Sequence, residues 1–252
     1  MKKILLLFIS IALLFSFSAC ELSINFSDDI SEIESPKETT SKPQIDSSYV
    51  QIKGYEKTAD QLLGEQNSKI DRIVYAYKTN DKSYLKTNED IFIYQEATRI
   101  ISSIIDDNMT DFEKEKAIHD YIIINNTYDT DATSNFNKLS EDSKSMYGFF
   151  KNGKSICLGY TQTFQLFMDM LDITCITIHS TANFGEEHAW NMVKLDDEWY
   201  QVDVTWNDPI PDKKDRVLYK YFNVTNIYMK RNNHEWDENH YPIANSTKYS
   251  VN

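Results

Sequence analysis

Three side chains in the second half of the chain have the types and the order of a cysteine nucleophile with its base. Cys157 is followed by His188 after 31 residues and by Asp203 after a further 15 residues. A thiolate can attack a carbonyl carbon, an imidazole can take and return the proton, and a carboxylate can hold the imidazole in one tautomer. The sequence therefore predicts Cys157, His188 and Asp203 as a catalytic triad for acyl transfer.

The element that must present Cys157 is a helix. Apolar residues recur at helical spacing after the cysteine, at Tyr160, Phe164, Phe167, Met168 and Leu171. This pattern places Cys157 in the first turn of a buried helix, where the positive helix end and unpaired N–H groups stabilise a thiolate. A strand over 173–180 is predicted to follow.

His188 and Asp203 are predicted to meet across a hairpin. Two strand-like runs, 188–195 and 198–206, flank Asp196-Asp197. If these two aspartates form a two-residue loop, His188 and Asp203 become diagonal neighbours on one face, and a one-residue slip would separate them. The predicted cross-strand pairs are Leu195 with Glu198, Trp190 with Asp203, and His188 with Thr205.

The region before Cys157 is predicted to be mostly helical. Apolar positions from Ile93 to Ile104 predict a helix over 89–106, and Thr110 with Glu113 forms a capping box that opens a second helix ending near Asn125. Residues 127–144 are predicted to be a polar loop. The run 70–77, rich in β-branched and aromatic residues, is predicted to be a strand.

Three motifs in this order resemble the core of bacterial transglutaminase-like proteins. They cover Cys157-x-Gly159-Tyr160, then His188-Ala189-Trp190-Asn191, then Trp199-Tyr200-x-Val202-Asp203-x-Thr205-Trp206-x-Asp208-Pro209. The resemblance extends over about 106–242 and implies an α+β, papain-like fold with the nucleophile helix packed on an antiparallel sheet. Eukaryotic members use an upstream tryptophan to help hold the oxyanion. All four tryptophans here lie at position 190 or later, so only the Cys157 N–H is assigned as a donor.

Other roles for these residues remain open. Cys157 and Cys175 could form a structural disulfide, although Cys175 is better interpreted as a small buried residue. Cys157, His188 and Asp203 could ligate zinc, but the sequence offers no fourth ligand nearby, and we predict neither a metal nor a cofactor. His119 is predicted to be a partly exposed helix residue and His179 a strand-end surface residue. His234 and His240 receive no role.

The tryptophans near the motifs are predicted mainly to pack. Trp190 shares a face with His188 and is therefore also a candidate substrate-binding residue. Asp208-Pro209 is predicted to end its strand by turn chemistry.

Composition excludes several functions. The 252 residues carry 26 Lys+Arg against 39 Asp+Glu, a formal charge of -13, which argues against nucleic acid because phosphate binding needs a basic surface. With only six glycines and no G-x-G spacing, no phosphate-binding glycine loop is present. Composition does not indicate an oligomeric state.

The first residues resemble a bacterial lipoprotein signal. A basic start at 1–3 and an uncharged apolar stretch over 4–17 lead to Phe17-Ser18-Ala19-Cys20, a sequence similar to a lipobox. The predicted division is a signal peptide over 1–19, a lipid-anchored tether over 20–48, a mixed region over 49–105 and a transglutaminase-like domain over 106–245. Lipidation of Cys20 would make the membrane a partner, with the protein outside the cytoplasm.

Two functional classes follow. The first is an extracytoplasmic acyl-transfer enzyme that acts on amide bonds of proteins or peptides, including cell-wall peptides, as a protease, amidase or transglutaminase. Hydrolysis and crosslinking stay open, because access to the site rather than the triad selects the second substrate. The alternative is a non-catalytic cell-surface binding module with the same fold.

Overall fold

The computed structural model describes residues 59–131, 139–213 and 216–251. The predicted signal peptide, the tether and Cys20 lie outside the described residues, and so does part of the predicted loop over 127–144. In the part of the chain that the structure describes, no helix is both long and apolar enough to cross a membrane.

Three long helices cover the N-terminal half. They are α1 (Ala59–Thr79), α2 (Asn88–Ile104) and α3 (Asp111–Asn125). The predicted strand over 70–77 is wrong, because these residues lie inside α1. Its buried residues Ile70, Ile73 and Ala76 are three apart, which is a helical stripe and not the alternation of a half-buried strand.

The predicted helices α2 and α3 are confirmed, with their starts fixed by capping. Thr110 accepts a hydrogen bond from the Glu113 N–H at 3.3 Å, and the Glu113 carboxylate accepts one from the Thr110 N–H at 2.8 Å. This reciprocal pair satisfies two N–H groups that would otherwise be unpaired at the helix start. α2 is joined to α1 through Asp90, which is buried and accepts two hydrogen bonds from Arg72, at 3.0 and 3.2 Å.

The nucleophile helix follows a short parallel pair of strands. β1 (Thr127–Tyr128) pairs with β2 (Lys154–Ser155), and α4 (Met146–Asn152) lies between them in sequence. α5 (Cys157–Met170) begins immediately after β2, as predicted. A Cβ at Gly159 would lie 2.4 Å from Ser155 Cβ and 2.9 Å from the Ser145 carbonyl oxygen, so only glycine fits this close approach.

A four-stranded sheet packs against α5. Its order is β5 (Glu198–Val202), β4 (Glu186–Leu195), β3 (Cys175–Ala182) and β6 (His234–Glu235), with every neighbouring pair antiparallel. The Thr161 hydroxyl on α5 donates to the Ala189 carbonyl on β4 at 3.0 Å. The predicted α+β architecture, a cysteine helix on an antiparallel sheet, is confirmed.

The hairpin turn is as predicted, but one strand ends earlier. Leu195 pairs with Glu198, and Asp196 and Asp197 both have positive φ, 46° and 64°, the backbone of a tight two-residue turn. The ladder stops where Asn191 pairs with Val202. The predicted pairs of Trp190 with Asp203 and of His188 with Thr205 are wrong, because the chain leaves the sheet at Asp203 and forms the short helix α6 (Val204–Asn207). A further helix, α7 (Asn226–Arg231), precedes β6.

Candidate active site

Cys157 occupies the first position of a helix whose start has no side-chain cap. Ile156 is the N-cap residue and offers no side-chain acceptor, so the N–H groups of Cys157 and Leu158 are uncapped, whereas the Gly159 N–H donates to the Ile156 carbonyl at 2.9 Å. Cys157 is half-buried and Cys175 is buried, and both are free thiols. The disulfide alternative is therefore not realised. Burial raises the pKa of Cys175 well above its ordinary value, which makes that thiol a poor nucleophile.

His188 and Asp203 are brought together at the edge of the sheet. His188 Nε2 lies 2.7 Å from Asp203 Oδ2, and the two residues are 9% and 0% exposed. Asp203 is the N-cap of α6, and its Oδ1 accepts a hydrogen bond from the Trp206 N–H at 3.0 Å. The carboxylate therefore uses one oxygen to start the helix and keeps the other for the imidazole.

The thiol of Cys157 is the second polar partner of His188. Burial alone would lower the pKa of His188, but the charge of Asp203 and its hydrogen bond, together with a hydrogen bond to Cys157, raise that pKa to about 10. Because Nε2 is bonded to Asp203, Nδ1 is the nitrogen left to face the thiol. The imidazole therefore stays protonated at neutral pH between two groups that stabilise its positive charge.

His234 is a fourth residue of the site, beside Cys157, His188 and Asp203, and the sequence did not predict it. Its Nε2 lies 2.9 Å from the same oxygen, Asp203 Oδ2, and the residue is 1% exposed. Burial would raise the pKa of Asp203, but the charges and hydrogen bonds of His188 and His234 lower it far below the ordinary value. The only signal in the sequence was His234-x-Trp236 after the third motif, which does not indicate a contact with Asp203.

Aromatic rings enclose this carboxylate and its two imidazoles. The Trp206 ring lies 5.3 Å from the His188 ring and 4.4 Å from the His234 ring, and the Trp190 ring lies 5.0 Å from His234. Trp190 is 1% exposed and donates through Nε1 to Gln201 Oε1 at 2.7 Å. The predicted packing role of Trp190 therefore fits the structure, and its burial leaves no indole surface for a substrate.

A cavity of about 540 Å³ adjoins His188. Other residues on its wall are Tyr128, Glu186, Glu187, Thr205, Trp206 and Asp208. Its volume is suited to a side chain or short segment of a substrate. The imidazole that contacts Cys157 is thus reachable from solvent on the side of this cavity.

The same carboxylate and imidazoles are, in the described ranges, close enough together to hold a metal ion. One donor atom from each of His188, Asp203 and His234 lies within 4.8 Å of the others. Both imidazole Nε2 atoms already share Asp203 Oδ2 through hydrogen bonds, and Cys157 faces the other nitrogen of His188. A metal bound here would have to displace both of those protons.

His119 and His179 are less exposed than predicted. His119 is 0% exposed, and its ring nitrogens bond Asp120 and Asn207 at 2.9 Å each, so the prediction of partial exposure is wrong. His179 lies in the middle of β3, and burial lowers its pKa to about 4. His240 is exposed and pairs with Asp237 at 3.0 Å.

Contrary to the prediction, Asp208 does not end a strand, because β5 already ends at Val202 and α6 follows. It is buried at the end of α6, where its carboxylate accepts a hydrogen bond from the Tyr160 hydroxyl. Burial raises the pKa of Asp208 to about 6. The residue therefore ties α6 to the nucleophile helix, one turn beyond Cys157.

Comparisons with known proteins agree with these motifs. Residues 98–204 match the family model of the transglutaminase-like superfamily. Kyphoscoliosis peptidase of Mus musculus is 25% identical over 137 residues, and that of Homo sapiens is 26% identical over 137 residues; each match covers 49% of this chain. The chain covers only 20% of the length of these two relatives. The crystal structure of a TGase aligns with a TM-score of 0.36 at 17% identity, over 61% of this chain and 35% of that chain.

The matched range contains all three residues of the predicted triad. It also contains α5 and most of the sheet on which α5 packs, so the predicted transglutaminase-like, papain-like α+β fold is confirmed. Residues 98–204, which carry Cys157, His188 and Asp203, are therefore similar to the transglutaminase-like superfamily.

Proposed function

We propose that the protein is a thiol-dependent acyl-transfer enzyme that acts on amide bonds of proteins or peptides through Cys157, His188 and Asp203. One observation carries the proposal. A half-buried free thiol at an uncapped helix start contacts a protonated imidazole, which is held by a buried carboxylate 2.7 Å away. Buried ionisable groups with strongly shifted pKa values beside a cavity are typical of active sites.

The chemistry follows from this charge arrangement. The Cys157 thiolate attacks the amide carbonyl carbon, and the carbonyl π electrons move to the oxygen. Collapse of this intermediate re-forms the carbonyl and expels the amine, which takes a proton from His188 and leaves a thioester on Cys157. Water or a second amine then attacks the thioester while neutral His188 accepts its proton, and the thiolate leaves. Asp203 keeps Nδ1 of His188 directed at the sulfur in both steps.

The acyl-enzyme is the species to test. The full chain, purified in a mild detergent, is mixed with p-nitrophenyl acetate, and Cys157 is analysed for acetylation by mass spectrometry. We expect a burst of one p-nitrophenolate per protein that is absent from Cys157→Ala and unchanged in Cys175→Ala, the matched control at the other thiol. Acetylation of Cys157 no faster than that of free cysteine at the same pH would contradict the proposal.

A partition experiment, which measures whether the acyl group passes to an amine or to water, identifies the second substrate. Adding a lysine-type amine to the acetylated enzyme gives either the acetylated amine or acetate. A dominant amide product assigns the protein to crosslinking, and acetate alone assigns it to hydrolysis, because both reactions proceed from the same thioester.

We also propose that the enzyme works outside the cytoplasm of a bacterium, attached through lipid on Cys20. The support is the basic start, the apolar stretch and Phe17-Ser18-Ala19-Cys20. On this basis we propose cell-surface proteins or cell-wall peptides as substrates. In a bacterial host, Cys20→Ser should abolish incorporation of labelled fatty acid, and globomycin should leave a larger precursor. Normal lipid labelling of the Cys20→Ser protein would contradict the anchor.

A further inference from the structure

The backbone around Tyr128 holds this residue beside the start of the nucleophile helix. Tyr128 pairs with Ser155 in the parallel ladder of β1 and β2. Ser155 lies two residues before Cys157 in the sequence. The Thr127 N–H donates to the Gly153 carbonyl and the Asp129 N–H to the Ser155 carbonyl, each at 2.9 Å. The position of Tyr128 is therefore fixed relative to the chain that leads into α5.

Tyr128 in β1 and Asp129, the residue that follows β1, have different roles. The Asp129 side chain is buried, where it accepts a hydrogen bond from the Ser143 hydroxyl at 2.6 Å and pairs with Lys154 at 2.7 Å. Successive side chains of a strand point to opposite faces. Tyr128 accordingly projects the other way and forms part of the wall of the cavity that adjoins His188.

The hydroxyl of Tyr128 is available as a donor. Tyr128 is half-buried, and within the described ranges its hydroxyl has no hydrogen-bond partner. Burial, and next the charge of Cys157, raise the pKa of Tyr128 above its ordinary value. The phenol therefore keeps its proton throughout the pH range in which the thiolate and imidazolium coexist.

The proposed reaction requires such a donor. Attack by Cys157 places a negative charge on the former carbonyl oxygen, and an acyl-transfer site needs donors directed at that oxygen. The uncapped start of α5 supplies the Cys157 N–H. A single N–H leaves room for a second donor, and a side chain that shares a cavity with His188 can reach the same intermediate.

We propose that the Tyr128 hydroxyl is the second oxyanion donor and hence a catalytic residue, acting together with the Cys157 N–H. This inference rests on the proposed acyl-transfer function. Tyr128 donates a hydrogen bond to the oxyanion and keeps its proton. When the intermediate collapses, the carbonyl re-forms and the leaving amine takes its proton from His188, so Tyr128 returns unchanged.

Two reactions of the same thiol separate this role from a structural one. Alkylation of Cys157 by iodoacetamide is displacement at a saturated carbon and creates no oxyanion, whereas acetylation by p-nitrophenyl acetate does. For Tyr128→Phe in the full chain, we expect acetylation to slow by roughly 10²-fold, the typical effect of removing one oxyanion donor. The alkylation rate should stay within about twofold of wild type, because the thiolate and His188 are untouched.

The matched control is Tyr200→Phe. Tyr200 is also a tyrosine, is 0% exposed, and donates its hydroxyl to Ser246 Oγ at 2.8 Å rather than to a triad residue. Both rates should be unchanged in this variant. Equal acetylation of Tyr128→Phe and wild type would overturn the role of Tyr128 alone, and a parallel loss of both reactions would identify a structural role instead. If wild-type Cys157 is not acetylated faster than free cysteine, the proposed function and this inference both fail.

Discussion

Asp203 connects two imidazoles through a single oxygen atom. His188 Nε2 and His234 Nε2 lie 2.7 and 2.9 Å from Asp203 Oδ2, and all three residues are buried. His234 does not contact the thiol, so its effect must pass through Asp203. It is a positioning residue, because its hydrogen bond directs the carboxylate oxygen that orients His188.

Replacing His234 should reduce activity in proportion to the loss of its donor. In His234→Phe the ring shape is kept but the N–H is lost, and we expect the acetylation rate to fall by about 10- to 100-fold, the cost of one hydrogen bond to a charged group. KM should change little, because His234 is buried away from the cavity. His234→Gln keeps a donor and should recover most of the rate. Equal rates for the Phe and Gln variants would contradict a role through Asp203.

The contact between His188 and Asp203 depends on how one hairpin ends. Asp196 and Asp197 set the register, and the chain then leaves the sheet so that Asp203 caps α6. Register alone predicted the His188–Asp203 proximity correctly and the His188–Thr205 pair incorrectly. Aspartate is a preferred N-cap residue, and Asp203 accepts a hydrogen bond from the Trp206 N–H three residues later. This preference could have indicated a helix start at Asp203.

The two turn aspartates give a matched pair of substitutions. Both have positive φ, which glycine adopts without strain. Asp197 forms an exposed ion pair with Lys194, so Asp197→Gly should raise the free energy of unfolding, by less than the roughly 1–2 kcal/mol that a left-handed backbone costs a residue with a Cβ.

Asp196→Gly should gain less or lose stability. The Asp196 carboxylate accepts hydrogen bonds from Lys248 and Tyr249, which tie the C-terminal residues to the hairpin. Urea unfolding monitored by tryptophan fluorescence measures both changes. An Asp196→Gly protein more stable than Asp197→Gly would show that these contacts do not hold the C-terminal segment.

The sequence predicts those elements whose stabilising interactions lie close together in the chain. Helices α2, α3 and α5 were predictable because their caps and apolar spacing lie within the helix itself. The strand predicted over 70–77 failed because β-branched residues were weighed above the three-residue spacing of Ile70 and Ile73. His119 and His234 could not be placed, since their partners Asn207 and Asp203 lie 88 and 31 residues away.

The C-terminal part of the molecule is attached to α3 through a buried carboxyl group. Glu115 is 0% exposed, and its Oε2 accepts a hydrogen bond from Asn223 Nδ2 at 2.8 Å. Burial raises the pKa of Glu115 from 4.5 to about 8. The native state therefore keeps this proton, whereas the unfolded chain releases it above its ordinary pKa.

Stability should consequently fall with pH because of Glu115. Between the unfolded pKa of 4.5 and the folded value of about 8, the unfolded state binds fewer protons, so the free energy of unfolding decreases as pH rises. Glu115→Gln keeps the shape and cannot ionise. Relative to wild type, we expect this variant to be more stable at pH 8 than at pH 5, by urea unfolding at the two values. If the difference in free energy of unfolding between wild type and Glu115→Gln were the same at both pH values, Glu115 would not be protonated in the folded state as argued.

The central claim is that the thiolate of Cys157 is paired with the imidazolium of His188, and alkylation tests it most directly. The pKa of His188 is raised to about 10, so the pair should persist at neutral pH and be lost only as pH rises through that value. At about pH 7 iodoacetamide should therefore alkylate Cys157 faster in the full chain than in its His188→Asn variant. In His188→Asn, the rate should rise near an ordinary thiol pKa of about 8.5. A wild-type rate that rises near 8.5 and is unchanged in His188→Asn would contradict the account.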